Sequence, residues 1–419
     1  MMSAAASGSR RLNAHLESAQ PSATYRVMDR VAARRAAGAS VISLSAGEPD
    51  FDTPEHVRKA GIAAIRAGHT RYTQVAGLRA LREAIAMKFR RENGLEVNWQ
   101  DTLVCSGGKQ VIYNALAATL NEGDEVIVPA PYWVSYPEMV QLCGGKPVVV
   151  PCGSETGFKL TPQKLADAIT PRTRWLILNS PSNPTGAVYT RADLQALAEV
   201  LLDCPHVLVL SDDIYEHLTF DGAAFHTIAQ VEPRLRERTL TMNGVSKAYA
   251  MTGWRIGFGT GPRWLLDAME KLQGQQTSGA CSISQHAAVA ALTGPRDFID
   301  SSRAVFQKRR DMMVKLLNDT SGLHCEVPAG AFYAFASCAG LIGKTTPAGT
   351  VLHTDEDVAM ALLDEAGVAV VHGSAFGLGP YIRIAYALDD ASLRKACEAI
   401  QSFCISLGSV KEAASPSRL

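Results

Sequence analysis

The chain has 419 residues, 47% apolar and 20% charged, with 41 basic and 41 acidic side chains. That length suggests two or three structural units. A net charge of zero gives no basic field for nucleic acid or an anionic membrane, and polar residues interrupt every apolar run well short of a bilayer span. The nine cysteines are odd in number and scattered, with no CxxC pair. Neither a metal site nor a disulfide framework is expected, and a reducing cytoplasm fits best.

Residues 1–20 read as a flexible arm that orders on a neighbouring subunit, and 411–419 as a frayed tail. A helix is expected over 21–38, stopping at Gly38. VISLSAGEPDFDTP is a short strand running into a loop. Helices follow over 54–67, with Pro54 at its start, and over 77–93. The loop between them, GHTRYTQVAG, carries Tyr72.

From residue 101 strands and helices alternate. This predicts an α/β unit, a mainly parallel sheet sandwiched by helices. Residues 263–320 are largely helical, with a long segment near 297–317. Beyond it the texture is strand, helix, strand, as expected of a smaller α+β domain. The expected division is a large domain over 54–298 and a small one built from 21–53 and 299–410.

Ligands of open parallel sheets bind where strands run into loops, and the informative motifs fall there. CSGGKQ places Gly107, Gly108 and Lys109 before a helix, where their N–H groups would cradle a phosphate. It is not a P-loop, because Gln110 stands where Ser or Thr should follow the lysine. Trp133 in PAPYWVSYP either stacks on a planar ring or packs a domain seam. Asn183 in NSPSNPTGAV is explained by turn chemistry, or donates into a pocket. In LVLSDDIYEH, Asp212 and Asp213 are either an exposed acidic turn or a pair with one member facing a cation; Asp212 would suit a protonated ring nitrogen and Tyr215 a phenolate oxygen.

The stretch NGVSKAYAMTGWRIGF sets Lys247 among Gly244, Val245, Ser246 and Ala248. With no local acid, such a lysine can lose hydration, drop its pKa and form a Schiff base with a carbonyl. Arg255 suits a phosphate, and Arg383 in PYIRIAYA a carboxylate. Each residue alone has an ordinary reading. Together they fit pyridoxal phosphate plus an amino acid, and few other ligands.

SLSAGEPDFDTP, RYTQVAGL, SGGKQ, PYWVSYPE, NSPSNPTGAVY, SDDIYEHL, SKAYAMTGWRIGF and YIRIAYA, in this order, resemble the class I pyridoxal-phosphate aminotransferases, nearest the bacterial aspartate aminotransferase branch. The resemblance implies the type I fold of pyridoxal-phosphate transferases. It implies that Lys247 carries the cofactor and moves the Cα proton, and that Asp212 holds the ring nitrogen protonated. Tyr215 and Asn183 would bond the ring oxygen, Trp133 would stack on the ring, and Gly108, Lys109 and Arg255 would hold the phosphate. Tyr72 would reach the neighbouring subunit's phosphate, implying a homodimer with shared sites. Arg383 would bind the substrate α-carboxylate, helped by Asn183 and the Gly47 backbone, with Lys109 on a distal carboxylate and Thr24 lining the site. One position departs from many relatives: Gly244 stands where they have Ser or Thr three residues before the lysine.

The expected activity is transamination between an amino acid, best L-aspartate, and a 2-oxo acid, best 2-oxoglutarate. Aromatic donors, prephenate as acceptor, or β-elimination on the same fold are the alternatives. A cofactor-sensing DNA-binding regulator is disfavoured by the short arm and the neutral charge.

Overall fold

The computed structural model describes residues 13–408. Helix α1 (Ala14–Ser18) and α2 (Ala23–Ala36) precede the short strand β1 (Ile42–Ser43), then α3 (Glu55–Arg66) and α4 (Arg79–Asn93). The alternating region follows as β2 (Thr102–Cys105), α5 (Gly108–Thr119), β3 (Glu125–Ala130), α6 (Ser135–Leu142), β4 (Lys146–Pro151), α7 (Pro162–Ala168), β5 (Thr173–Asn179), α8 (Arg191–Leu202) and β6 (Leu208–Asp212). Then come α9 (Ile228–Val231), β7 (Thr239–Gly244), β8 (Gly257–Thr260), α10 (Arg263–Gln276), α11 (Ser282–Thr293) and α12 (Asp297–Asn318). The last part holds β9 (Tyr333–Ser337), α13 (Asp355–Glu365), β10 (Val368–Ala369), β11 (Val371–His372), β12 (Tyr381–Ala385) and α14 (Asp390–Ser406).

Seven strands form the central sheet in the order β2-β8-β7-β6-β5-β3-β4. All are parallel except β8, which pairs antiparallel with both neighbours. The middle strands read as continuous apolar runs because helices cover both faces; Trp175, Leu176 and Ile177 of β5 are buried in a row. Helix starts are fixed locally. Thr190 and Asp193 close a capping box on α8, as do Thr354 and Asp357 on α13. The first helix of the prediction, 21–38, is observed as α2, with Gly38 in the left-handed region just beyond it at φ 86°.

The small sheets lie apart from this one: β1 with β10 in parallel, and the antiparallel set β11-β12-β9. Their core is a separate apolar cluster including Leu317, Phe332, Ile384, Leu393 and Ile400. Helix α12 ties the two groups of elements together. Its Arg309 pairs with Asp50 at 2.8 Å and Asp390 at 3.0 Å, and its Arg310 with Asp221 at 2.6 Å.

The N-terminal stretch, expected as an arm lying on a neighbouring subunit, is described from residue 13 onward. Residues 14–18 are helical and contact α6 of the same chain. Gln20 N–H donates to Glu138 Oε2 on that helix at 2.7 Å. Residues 1–12 and the tail expected over 411–419 lie outside the described residues. Among the described residues no helix is long and apolar enough to cross a membrane.

Candidate active site

The carboxyl ends of β5, β6 and β7 deliver three of the key groups to one mouth. Lys247 lies three residues beyond β7, and its Nζ donates to the Gly47 carbonyl at 2.5 Å. The ammonium also sits 5.8 Å from the Tyr215 ring and 5.9 Å from that of Phe332. Burial lowers its pKa to about 8; Arg255 and Arg383 push the same way, while Glu48 and Asp212 oppose. The loss of hydration that the sequence argument required of this lysine is present.

Asp212 and Asp213 are both buried, so the exposed-turn reading of the pair does not hold. Tyr136 Oη donates to Asp212 Oδ2 at 2.5 Å and Ile214 N–H to Oδ1 at 3.3 Å. Burial raises the Asp212 pKa to about 6, against these bonds and the Lys247 charge. Asp213 faces the other way. It accepts from Ser211 Oγ at 2.7 Å, and burial raises its pKa to about 7. Behind it, Glu92, Glu216 and His217 have the spacing of a metal triad. Their carboxylates are already paired with Lys88, Arg91 and Arg296.

The glycine turn is expected to form an anion cradle. Gly107 adopts φ 92° and donates its own N–H to the Cys105 carbonyl at 2.8 Å. Of the three donors expected there, it is the one turned away. Gly108 and Lys109 open α5, where first-turn N–H groups have no intrahelical acceptor. The Arg255 guanidinium closes the cradle, with Nη1 held by the Thr252 carbonyl at 2.9 Å. A Cβ on Gly107 would lie 2.2 Å from Arg255 Nη2. Gly107→Ala is thus expected to unseat Arg255 as well as strain the backbone, at about 1–3 kcal/mol in urea unfolding. Lys109 is an exposed residue with Nζ 4.9 Å above the Trp133 ring, and desolvation together with the Arg255 charge lowers its pKa.

Arg383 is brought from β12 and is 2% exposed. Its Nη1 donates to Asn183 Oδ1 at 3.1 Å and its Nη2 to the Ser45 carbonyl at 2.6 Å. The guanidinium stands 4.8 Å from the Tyr333 ring and 4.9 Å from that of Phe376. Among the described residues no carboxylate pairs with it, and its Nε has no partner. A buried cation without an anion is a place prepared for one. Asn183 turns its oxygen to Arg383, which leaves its amide N–H groups to donate elsewhere.

Eleven of the residues singled out from sequence therefore share one mouth: Gly47, Gly107, Gly108, Lys109, Trp133, Asn183, Asp212, Tyr215, Lys247, Arg255 and Arg383. Tyr72 is 93% exposed. Thr24, in the first turn of α2, bonds none of the eleven among the described residues, although its neighbour Ala23 packs in the apolar cluster that includes Trp133 and Phe376. Three residues were not anticipated. Tyr136 supports Asp212, the Ser45 carbonyl seats Arg383, and Tyr333 Oη lies 2.8 Å from Tyr215 Oη. A separate cavity of about 220 Å³ opens beside Thr239, Thr241, Thr260 and Arg236, and none of the eleven lines it.

The model of the family "Aminotransferase class I and II" matches residues 39–400. A protein of Rhizobium leguminosarum bv. phaseoli named probable aspartate/prephenate aminotransferase is 58% identical over 389 residues, 93% of this chain and 97% of that one. The crystal structure of the aspartate aminotransferase from Rhizobium meliloti superposes with a TM-score of 0.93 at 52% identity, covering 95% of this chain and all of the other. The Thermus thermophilus aspartate aminotransferase with maleate gives 0.88 at 42% identity over 94% of this chain and all of that one. The α/β architecture expected from the strand–helix alternation is thus the type I fold of those enzymes. The chain belongs to the class I and II aminotransferase family.

Proposed function

We propose that this aminotransferase uses pyridoxal 5′-phosphate to move an amino group between a dicarboxylic amino acid, best L-aspartate, and 2-oxoglutarate. The observation that carries the reading is the buried, anion-free Arg383 facing the same mouth as the depressed amine of Lys247. The residues fit the cofactor. The cradle of Gly108, Lys109 and Arg255 suits its phosphate, with Gly107 kept free of a Cβ by the guanidinium. The buried Asp212 suits its ring nitrogen, Trp133 its ring face, and Tyr215 and Asn183 its ring oxygen. When bound, the cofactor supplies an aldehyde that takes up amines and a protonated ring that accepts electrons from Cα.

The chain's own groups do the rest. Arg383 fixes the α-carboxylate with the Gly47 backbone beside it, orienting the Cα–H bond. Lys247 Nζ takes the Cα proton and returns it during transfer, and its lowered pKa suits it to both steps near neutral pH. Asp212 stays anionic once a cation lies against it, which offsets the burial that raises its pKa in the open pocket. The two half-reactions alternate in ping-pong order.

Substrate choice is proposed to rest on Lys109, whose ammonium, 4.9 Å over the Trp133 ring, would receive a distal carboxylate. Lys109→Ala should raise KM for aspartate and glutamate about tenfold relative to alanine or phenylalanine. An equal loss for all donors would confine Lys109 to the phosphate. Prephenate also carries two carboxylates, so the same pair of cations would serve it, and the Rhizobium leguminosarum relative bears that name. Products separate transamination from β-elimination: glutamate from 2-oxoglutarate supports the first, pyruvate with ammonia the second.

The working form is proposed to be a cytoplasmic homodimer. The exposure of the large apolar side chains Tyr72, Ile62 and Ile65 supports a partner subunit, with Tyr72 reaching the partner's phosphate and Thr24 closing over the chain's own site. The proposed division into units is 54–298 for the cofactor and 21–53 with 299–410 for the substrate carboxylate.

A further inference from the structure

We propose that Tyr333 is a positioning residue that couples carboxylate occupancy at Arg383 to the hydroxyl of Tyr215. The inference rests on the cofactor reading above and deepens it. Tyr333 opens β9, which pairs with β12, the strand that carries Arg383. It is 1% exposed, so its hydroxyl has no water to turn to and must use what the pocket holds. That partner is Tyr215 Oη, at 2.8 Å. The face of the same ring lies 4.8 Å from the Arg383 guanidinium. A Cβ on Gly47 would fall 2.8 Å from Tyr333 Oη, so the Gly47 backbone, whose carbonyl holds Lys247 Nζ, closes against the same hydroxyl.

One ring thus touches the carboxylate-binding cation on its face and the cofactor-facing phenol at its edge. The guanidinium charge lowers the pKa of both phenols, against the burial that raises them. An anion seated on Arg383 cancels that charge. Both phenols then become weaker acids, Tyr215 becomes a weaker donor, and the basic group it bonds holds its proton more tightly. Substrate binding at one end of the site would in this way favour the protonated, reactive state at the other. The link crosses from an element of residues 299–410 to one of residues 54–298, where an occupancy signal has to pass.

The test is a pH titration of the visible absorbance band of the cofactor-loaded enzyme, with and without saturating succinate, a dicarboxylate that has no amino group. In the wild type succinate should raise the midpoint by about one unit. Tyr333→Phe should still bind succinate but keep less than half of that shift. Tyr215→Phe should lose the shift through the other partner, which keeps the test decisive if Tyr333→Phe folds poorly. Tyr386→Phe removes a buried hydroxyl that donates to the Ala331 carbonyl at 3.2 Å, and should behave as wild type. A full shift in Tyr333→Phe or Tyr215→Phe, or none in succinate-bound wild type, overturns the coupling. A wild type with no visible band overturns the cofactor reading instead.

Discussion

Lys247→Ala should abolish turnover, with kcat falling by at least about 10⁴-fold, and should remove the visible cofactor band at the same time. The side chain has no substitute. Lys109 also stands at this mouth, but its ammonium lies 4.9 Å over the Trp133 ring. The loss should be chemical and not structural. The folded lysine titrates near 8 against an ordinary 10.5. Between those values the unfolded chain holds a proton that the folded chain has released, so stability rises with pH across that window. Below about pH 8 the folded chain carries the full cost of a desolvated ammonium. Alanine has no such cost. In the absence of cofactor the variant's urea midpoint at pH 7 should match or exceed the wild type's, and the difference should shrink as pH rises from 8 to 10.5. Retained turnover in a clean preparation, or a variant that unfolds at pH 7, would sink the assignment.

What could be read in advance follows from what is local. Strand ends, glycine turns and cap residues are short-range signals, and they located CSGGKQ, SDDIYEH and NGVSK on the correct loops. Direction is not local: β8 reads as any apolar strand, and only its pairing shows it antiparallel. Burial is not local either. Arg383 alternates with apolar residues as an exposed arginine would, and its enclosure depends on Ser45, 338 positions away, and on Asn183, 200 away. Tyr333 was hidden for a different reason. In YAFAS every residue suits a buried strand, so an aromatic ring there looks like packing, and only the hydroxyl contact with Tyr215, in the loop after β6, separates it from a phenylalanine. Tyr136 was likewise one of several aromatics in PYWVSYP until its bond to Asp212 marked it.

The second large effect is expected at Arg383, where two opposing consequences have to be weighed. Replacing it with alanine takes the donors from Asn183 Oδ1 and the Ser45 carbonyl, both in buried surroundings. It also removes a guanidinium whose burial lowers its pKa and which, among the described residues, no carboxylate pairs with. These changes oppose each other in the free chain, so unliganded stability should move little. They do not oppose each other once substrate is present, because the variant has nothing to neutralise the α-carboxylate in a dry pocket. Truncating one side of a buried charge pair costs several kcal/mol, so kcat/KM should fall by about 10²–10³-fold. Arg383→Lys should recover only part of this, since a point charge cannot serve Asn183, Ser45 and a bidentate carboxylate together. The discriminating measurement is thermal. Succinate at about 100 times its Kd should stabilise the wild type by about 2.7 kcal/mol and leave Arg383→Ala unmoved at the same concentration. If the alanine variant is stabilised as much as the wild type, the carboxylate is held elsewhere, and the free, buried Nε of Arg383 has another purpose.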